Sequence, residues 1–169
     1  MENTSNVVVI DVQDYGKITV ELYPDIAPIT VENFKNLVNE KFYDGLIFHR
    51  VIENFMIQGG CPYGIGTGGH TDANGNEIRI KGEFAINGIK NDLSHVRGVI
   101  SMARANPYNS ASSQFFICHK DAKFLDGSYA AFGKVIDGID VVDAIAKTRT
   151  NLNDKPLEDV VISSIIFAN

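Results

Sequence analysis

Three hydrogen-bonding side chains, Arg50, Gln58 and Gln114, interrupt apolar, strand-like stretches of this chain. Residues two apart share a face of a strand. Arg50 is therefore expected beside Phe48 and Ile52, Gln58 beside Met56, and Gln114 beside Phe116. A few directional polar groups among bulky apolar neighbours describe a binding surface with a greasy floor. Any one of them alone reads as an exposed edge position; the three together read as a site. Competing chemistries are weaker. Gly64–Gly69 fits G-x-G-x-x-G, but the turn-like His70–Gly75 follows where a dinucleotide loop would open a helix, so the segment reads as a wall of the site. His49 alternates away from Arg50 and reads as structural. His70, His95 and His119 show no ligand spacing with Cys61 or Cys118, which argues against zinc. Cys118 and His119 are neighbours on a strand and point opposite ways, against a catalytic dyad. Asp121 and Asp126 read as solvated loop carboxylates.

The elements that must hold these residues are mostly strands. Lys17–Leu22 alternates polar and apolar without a fault, and the turn residues Asp14-Tyr15-Gly16 join it to Val7–Val12 as a hairpin. Further strands are expected at Leu46–Ile52, Phe55–Gln58, Val99–Ala103, Gln114–Cys118, Ala131–Ile136 and Val160–Phe167, which are rich in Val, Ile and Phe. Two segments carry helical stripes. One begins at Pro28 with Thr30 as its cap and buries Val31, Phe34, Leu37 and Val38. The other runs from Ile139 to Lys147 and buries Ile139, Val142, Ile145 and Ala146. Many short strands with two helices predict a mainly β fold, a closed antiparallel barrel capped by two α-helices. The long irregular stretch from Cys61 to Val96 holds expected hairpins at Asn74-Gly75 and Asn87-Gly88.

The bulk numbers bound the function. A chain of 169 residues with no linker or internal repeat is expected to form one domain, residues 1–169. A formal net charge of −6 disfavours a general grip on nucleic-acid phosphates. Met1–Asn6 lacks the features of a secretory signal, and Val7–Ile10 is far too short to cross a membrane. Two cysteines make no disulfide framework, so a cytoplasmic protein is expected and the Asn3-Thr4-Ser5 glycosylation match is read as chance.

Longer motifs are more specific. Phe48–Gly60 and Ser101–Cys118, which includes Ser112-Ser113-Gln114-Phe115-Phe116-Ile117, resemble the signature segments of the cyclophilin family. Phe124-Leu125-Asp126-Gly127 and Phe132-Gly133-Lys134-Val135 resemble the segments that follow them. The likeness runs in one order from about Gly16 to Ile166 and is nearest to the single-domain, bacterial-like members. It implies an eight-stranded barrel and a peptidyl-prolyl cis/trans isomerase that assists folding, with a proline-binding groove on the outer face of the barrel. By the resemblance, Arg50 is the central catalytic group, with Gln58 and Phe55. Met56, Ala103, Gln114, Phe116 and Leu125 match substrate-binding positions. Arg104, Phe124 and Tyr129 occupy three more, where many members carry asparagine, tryptophan and histidine respectively. The loop Gly69–Val96 is longer than in compact members.

Such a site needs no nucleophile, metal or cofactor, because no covalent bond is made or broken. The implied partners are proline-containing peptides and protein segments, folded or unfolded, bound by a monomer. Cyclosporin-type cyclic peptides should bind weakly, because Phe124 lacks an indole N–H. Arg104 is expected to add positive charge near the groove and favour acidic substrates. Two other readings remain: a non-catalytic chaperone or assembly module that only holds prolyl segments, and a barrel with an open interior for a small apolar ligand.

Overall fold

The computed structural model describes residues 5–168, so Asn3 and Thr4 of the acceptor sequence lie outside the described residues. The hairpin appears as expected. β1 (Val7–Val12) and β2 (Gly16–Leu22) pair antiparallel from Val7↔Glu21 to Val12↔Gly16. Their inward residues, Val8, Ile10, Val12, Ile18, Val20 and Leu22, are all buried. The remaining strands are β3 (Arg50–Ile52), β4 (Met56–Gly59), β5 (Val99–Met102), β6 (Phe115–Cys118), β7 (Ala131–Asp137) and β8 (Ile162–Phe167). They form one antiparallel sheet in the order β3-β4-β6-β5-β7-β2-β1-β8.

The expected closed barrel is corrected: the sheet is an open, curled half-barrel whose edge strands β3 and β8 do not pair. Only Arg50–Ile52 of the expected strand Leu46–Ile52 joins the ladder. The outer side of β3 is taken by another loop, because the Val51 N–H donates to the Asp154 carbonyl at 2.8 Å. The residues before β3 reach β8 by a seam, a single bridge Ile47↔Val161 flanked by three backbone hydrogen bonds. In these, Gly45 donates to the carbonyl of Ile162 (2.7 Å), Ile162 to that of Leu46 (2.7 Å), and Phe48 to that of Val160 (3.0 Å).

Both helices lie where expected, with different ends. α1 (Pro28–Asn39) opens on a proline, which suits a position whose N–H has no helical partner. Thr30 is not its cap. Its N–H (2.6 Å) and hydroxyl (2.7 Å) both donate to Oε1 of the buried Glu83, which satisfies the helix start from a distant loop. α2 (Ile139–Ala146) buries Val141, Val142, Ile145 and Ala146, with Ile139 only half-buried. It starts at Gly138, φ 86°, where a Cβ would run into the Lys17 carbonyl. Neither helix is long and apolar enough to cross a membrane. Asn74-Gly75 does turn a short hairpin closed by the bridge Thr71↔Glu77. Asn87-Gly88 instead ends a 3-10 turn at Ala85–Asn87, with Gly88 at φ 82°.

The sheet separates two apolar clusters. Phe34, Tyr43, Phe48, Phe115 and Phe132 fill the interior with edge-on and tilted rings, Phe34 and Phe115 meeting at 5.7 Å and 89°. A packed interior leaves no room for the small-ligand reading. On the opposite face, Met56, Phe116, Cys118, Ala122 and Leu125 form a smaller cluster with Ile52, Phe55, Ala103 and Tyr129 packed against it. Phe115 and Phe116 point to different clusters, as strand alternation requires.

Candidate functional site

The small outer cluster is the floor of a cavity of about 150 Å³ lined by Arg50, Phe55, Met56, Gln58, Ala103, Arg104, Phe116, Leu125 and Tyr129. The register of three short strands builds it. Arg50 lies opposite Gln58, and Gln58 opposite Phe116, so polar and apolar groups come side by side across β3, β4 and β6. A chain of side-chain hydrogen bonds crosses the same strands. Arg50 Nη1 donates to Gln58 Oε1 (3.2 Å), Gln58 Nε2 to Gln114 Oε1 (3.1 Å), and Gln114 Nε2 to the Gly68 carbonyl (2.8 Å). Arg50 is thereby aimed while its remaining donors stay open.

Face-sharing failed on one side of Arg50. Phe48 precedes the ladder and turns into the main core, so of the two expected neighbours only Ile52 joins the outer cluster. Gln114 lies just before β6 and lines a neighbouring cavity of about 230 Å³ with Gln58, Gly66, Thr67 and Gly68. The Gly-rich segment is thus a wall of that cavity, and no helix follows it.

Several supports behind the floor escaped sequence reasoning. His95 is buried, stacks on Phe116 (6.0 Å, 19°), and places its ring nitrogens 2.9 Å from Asp126 Oδ1 and 2.9 Å from Ser101 Oγ. Burial holds its pKa below the usual histidine value, although Asp126 pulls the other way. Asp126 is an exposed loop carboxylate, as expected, that also accepts from Ser94 Oγ (2.6 Å) and the His95 N–H (2.7 Å). Asp121, also exposed, accepts the Arg97 N–H at 2.9 Å. Phe55 is set by the turn before it. Asn54, φ 67°, donates its N–H to His119 Nδ1 (2.9 Å), whose Nε2 lies 3.0 Å from Asp143. Arg97 grips that carboxylate through two nitrogens, at 2.6 and 2.8 Å, and holds it below the ordinary carboxylate range.

At the rim the three altered positions behave differently. Tyr129 stands edge-on to Phe116 (5.9 Å, 84°) and walls the cavity. Phe124 is 75% exposed and meets the Phe55 ring, with ring centres 5.6 Å apart. Arg104 is enclosed. Its guanidinium carbon lies 4.7 Å from the Tyr129 ring centre, 5.0 Å from Phe84 and 5.4 Å from Tyr108. Nε and Nη2 donate to the Ser128 carbonyl (3.0 and 2.7 Å), and Nη1 to those of Ala105 and Asn106 (2.9 and 3.1 Å). These partners are neutral, so they fix the guanidinium without cancelling its charge, which borders both cavities. Phe84 and Glu83 come from the long Gly69–Val96 loop, so that loop braces both Arg104 and α1.

His49 is buried, its Nδ1 has no hydrogen-bond partner, and its pKa is lowered to about 4 by burial, then by Arg50 and Lys155. Burial pushes the Cys118 thiol up to about 12, which keeps it inert.

A family profile described as "Cyclophilin type peptidyl-prolyl cis-trans isomerase/CLD" matches residues 7–166. The chain is 44% identical over 148 residues to Peptidyl-prolyl cis-trans isomerase ppi1 of Schizosaccharomyces pombe, covering 87% of this chain and 90% of that protein. It is 46% identical over 139 residues to Peptidyl-prolyl cis-trans isomerase B of Bacillus subtilis, covering 82% and 87% respectively. Among solved structures, a cyclophilin type peptidyl-prolyl cis-trans isomerase of Cryptosporidium parvum, crystallised in the presence of the dipeptide Ala-Pro, superposes with a TM-score of 0.86. The identity is 32%, and the superposition covers 96% of this chain and 99% of that one.

Proposed function

This chain belongs to the cyclophilin-type peptidyl-prolyl cis-trans isomerase family, and from that premise we propose how its residues accelerate rotation about X-Pro bonds. Amide resonance sets a rotation barrier of roughly 18–20 kcal/mol. Prolyl bonds populate both isomers but exchange over about tens to hundreds of seconds. Bringing this to milliseconds takes about 5.5–7 kcal/mol off the barrier.

Arg50 is the catalytic group. At the twisted transition state the amide resonance is lost and the nitrogen lone pair is localised. A guanidinium that holds the proline carbonyl and faces that nitrogen stabilises the twisted state more than the planar one, and this difference is the catalysis. Gln58 keeps the guanidinium in place and binds substrate backbone. Phe55, Met56, Phe116 and Leu125 receive the pyrrolidine ring and exclude water, which strengthens the Arg50 contact. Ala103 fixes the residue before proline through its backbone, while Gln114, Arg104, Tyr129 and Phe124 form the surrounding walls and rim. The substrates are proline-containing peptides and protein segments. We assign the whole chain to one isomerase domain acting as a monomer in the cytoplasm, a setting that suits its two free, buried cysteines.

The observation that carries this reading is Arg50, hydrogen-bonded to Gln58 at the edge of an apolar cavity sized for a small ring. A pure prolyl binder would have little use for that arginine. Exchange spectroscopy on an Ala-Pro peptide tests it with wild type and Arg50→Ala: wild type should collapse the exchange time and the variant should restore it. No acceleration by wild type, or none lost in the variant, would return the chain to the chaperone reading.

A further inference from the structure

A separate cavity of about 390 Å³ shares Arg50 and Gln58 with the proline cavity. Its other walls are His49, the Gly64–Gly66 segment and the side of the 151–155 loop that carries Asn151, Asn153 and Lys155. No carboxylate borders it. Neither Arg50 nor Lys155 enters an ion pair among the described residues, whereas Arg97 is fully engaged by Asp143. On a chain of formal charge −6, this is a local surplus of positive charge. His49 senses it: after burial, the charges of Arg50 and Lys155 are what depress its pKa, so the two cations act on one place.

The loop that carries Lys155 is built rather than loose. Asn151 Oδ1 accepts the N–H of Asn153 (2.8 Å) and of Lys155 (3.1 Å), and the Asn151 N–H donates to the Lys155 carbonyl (2.8 Å). The Asp154 carbonyl accepts the Val51 N–H at 2.8 Å, one residue from Arg50, so the loop and the catalytic strand are tied together. Pre-ordering of this kind lowers the cost of binding.

Direction follows from the isomerase reading, on which this inference rests. Ala103 holds the residue before proline and Arg50 holds the carbonyl of proline itself, so the chain after proline leaves past Arg50 into this cavity. We propose that the cavity is a subsite for an anionic side chain, a carboxylate or a phosphate, in the segment that follows the substrate proline. Lys155 is its specificity residue, with Asn151 and Asn153 offering amide donors.

Exchange spectroscopy on Ala-Pro-X peptides, with X glutamate, phosphoserine, alanine or lysine, tests this in wild type, Lys155→Gln and Lys155→Glu. At low salt kcat/KM should favour glutamate over lysine roughly three- to tenfold, with phosphoserine favoured at least as much. The preference should shrink at high salt, vanish in Lys155→Gln and invert in Lys155→Glu. Preference for phosphoserine alone supports the subsite and narrows it to phosphate. Equal rates for all four peptides, a preference that survives Lys155→Glu, or the same preference when the acid precedes proline would overturn it. The amide shifts of Asn153 and Lys155 on peptide addition read the subsite without turnover. Intact anion-selective binding with no acceleration of any peptide would sink the isomerase reading and leave the subsite standing.

Discussion

Two arginines line the proline cavity, and their surroundings differ in what each leaves free. Arg104 donates four hydrogen bonds to three backbone carbonyls and sits among three aromatic rings. Arg50 makes one side-chain bond, to Gln58, and otherwise faces solvent and the cavities. A guanidinium with four of its five donors used joins pieces of protein; one that keeps most of its donors open can meet a substrate. The same residue type is a clasp on one wall and a tool on the other. An arginine written in a sequence is therefore not a set of donors available to a ligand.

Exchanging the two roles by mutation should sharpen the contrast. Arg50→Ala should lower kcat/KM by roughly a hundredfold or more, about 2.7 kcal/mol, with little change in the denaturation midpoint because the side chain is exposed. Arg50→Lys should recover only part of the rate, since a point charge cannot span carbonyl and nitrogen together. Arg104→Ala should do the reverse, lowering stability by about 2 kcal/mol and acting on rate chiefly through KM as Tyr129 loses its brace. Denaturant titration beside steady-state kinetics separates the two. If Arg104→Ala left stability intact while abolishing turnover, the contrast would be broken.

A third outcome reads the uncompensated field around Arg50. Unfolded His49 takes up a proton near its ordinary value of 6.5, but folded His49 does so only at about 4. Between those values the unfolded chain holds more protons, so stability falls as pH falls. Melting temperatures across that window should decline, and His49→Gln should flatten the decline. The smallest effect belongs to Phe124, which restores a donor at the rim when replaced. Phe124→Trp should tighten cyclosporin binding about fivefold, roughly 1 kcal/mol, in a direct titration, and equal affinities would exclude a role for the indole N–H.

Much of this was legible from local pattern. The β1–β2 hairpin came out within one residue of its expected bounds, because the inward residues from Val8 to Leu22 are apolar. The lining of the proline cavity was readable because its residues sit in long motifs whose order the fold keeps. What failed was non-local. Thr30 had the chemistry of a cap, but the cap is Glu83, a carboxylate 53 residues away in the chain. Phe48 shares parity with Arg50, yet the ladder begins only at Arg50, so parity predicts nothing for the residue before it. The mounting of Arg104 was hidden because Phe84, Tyr108, Ser128 and Tyr129 approach it only in the folded chain. Lys155 passed unnoticed for the converse reason: it carries no motif, and only the fold brings it beside Arg50.

The seam between Gly45–Phe48 and Val160–Ile162 has a consequence for the order of assembly. The segment that leads into Arg50 is anchored to residues beside and within β8, and Val51 is anchored to the 151–155 loop. Of the strands, β8 is the last to leave the ribosome, and β1 also waits for it as one of its two partners. Domains fold as their pieces emerge, and contacts distant in sequence form late. A nascent chain can carry the whole proline cavity in its sequence and still have no firmly mounted Arg50. The mount of Arg50 is complete only when residues 151–162 have joined the fold.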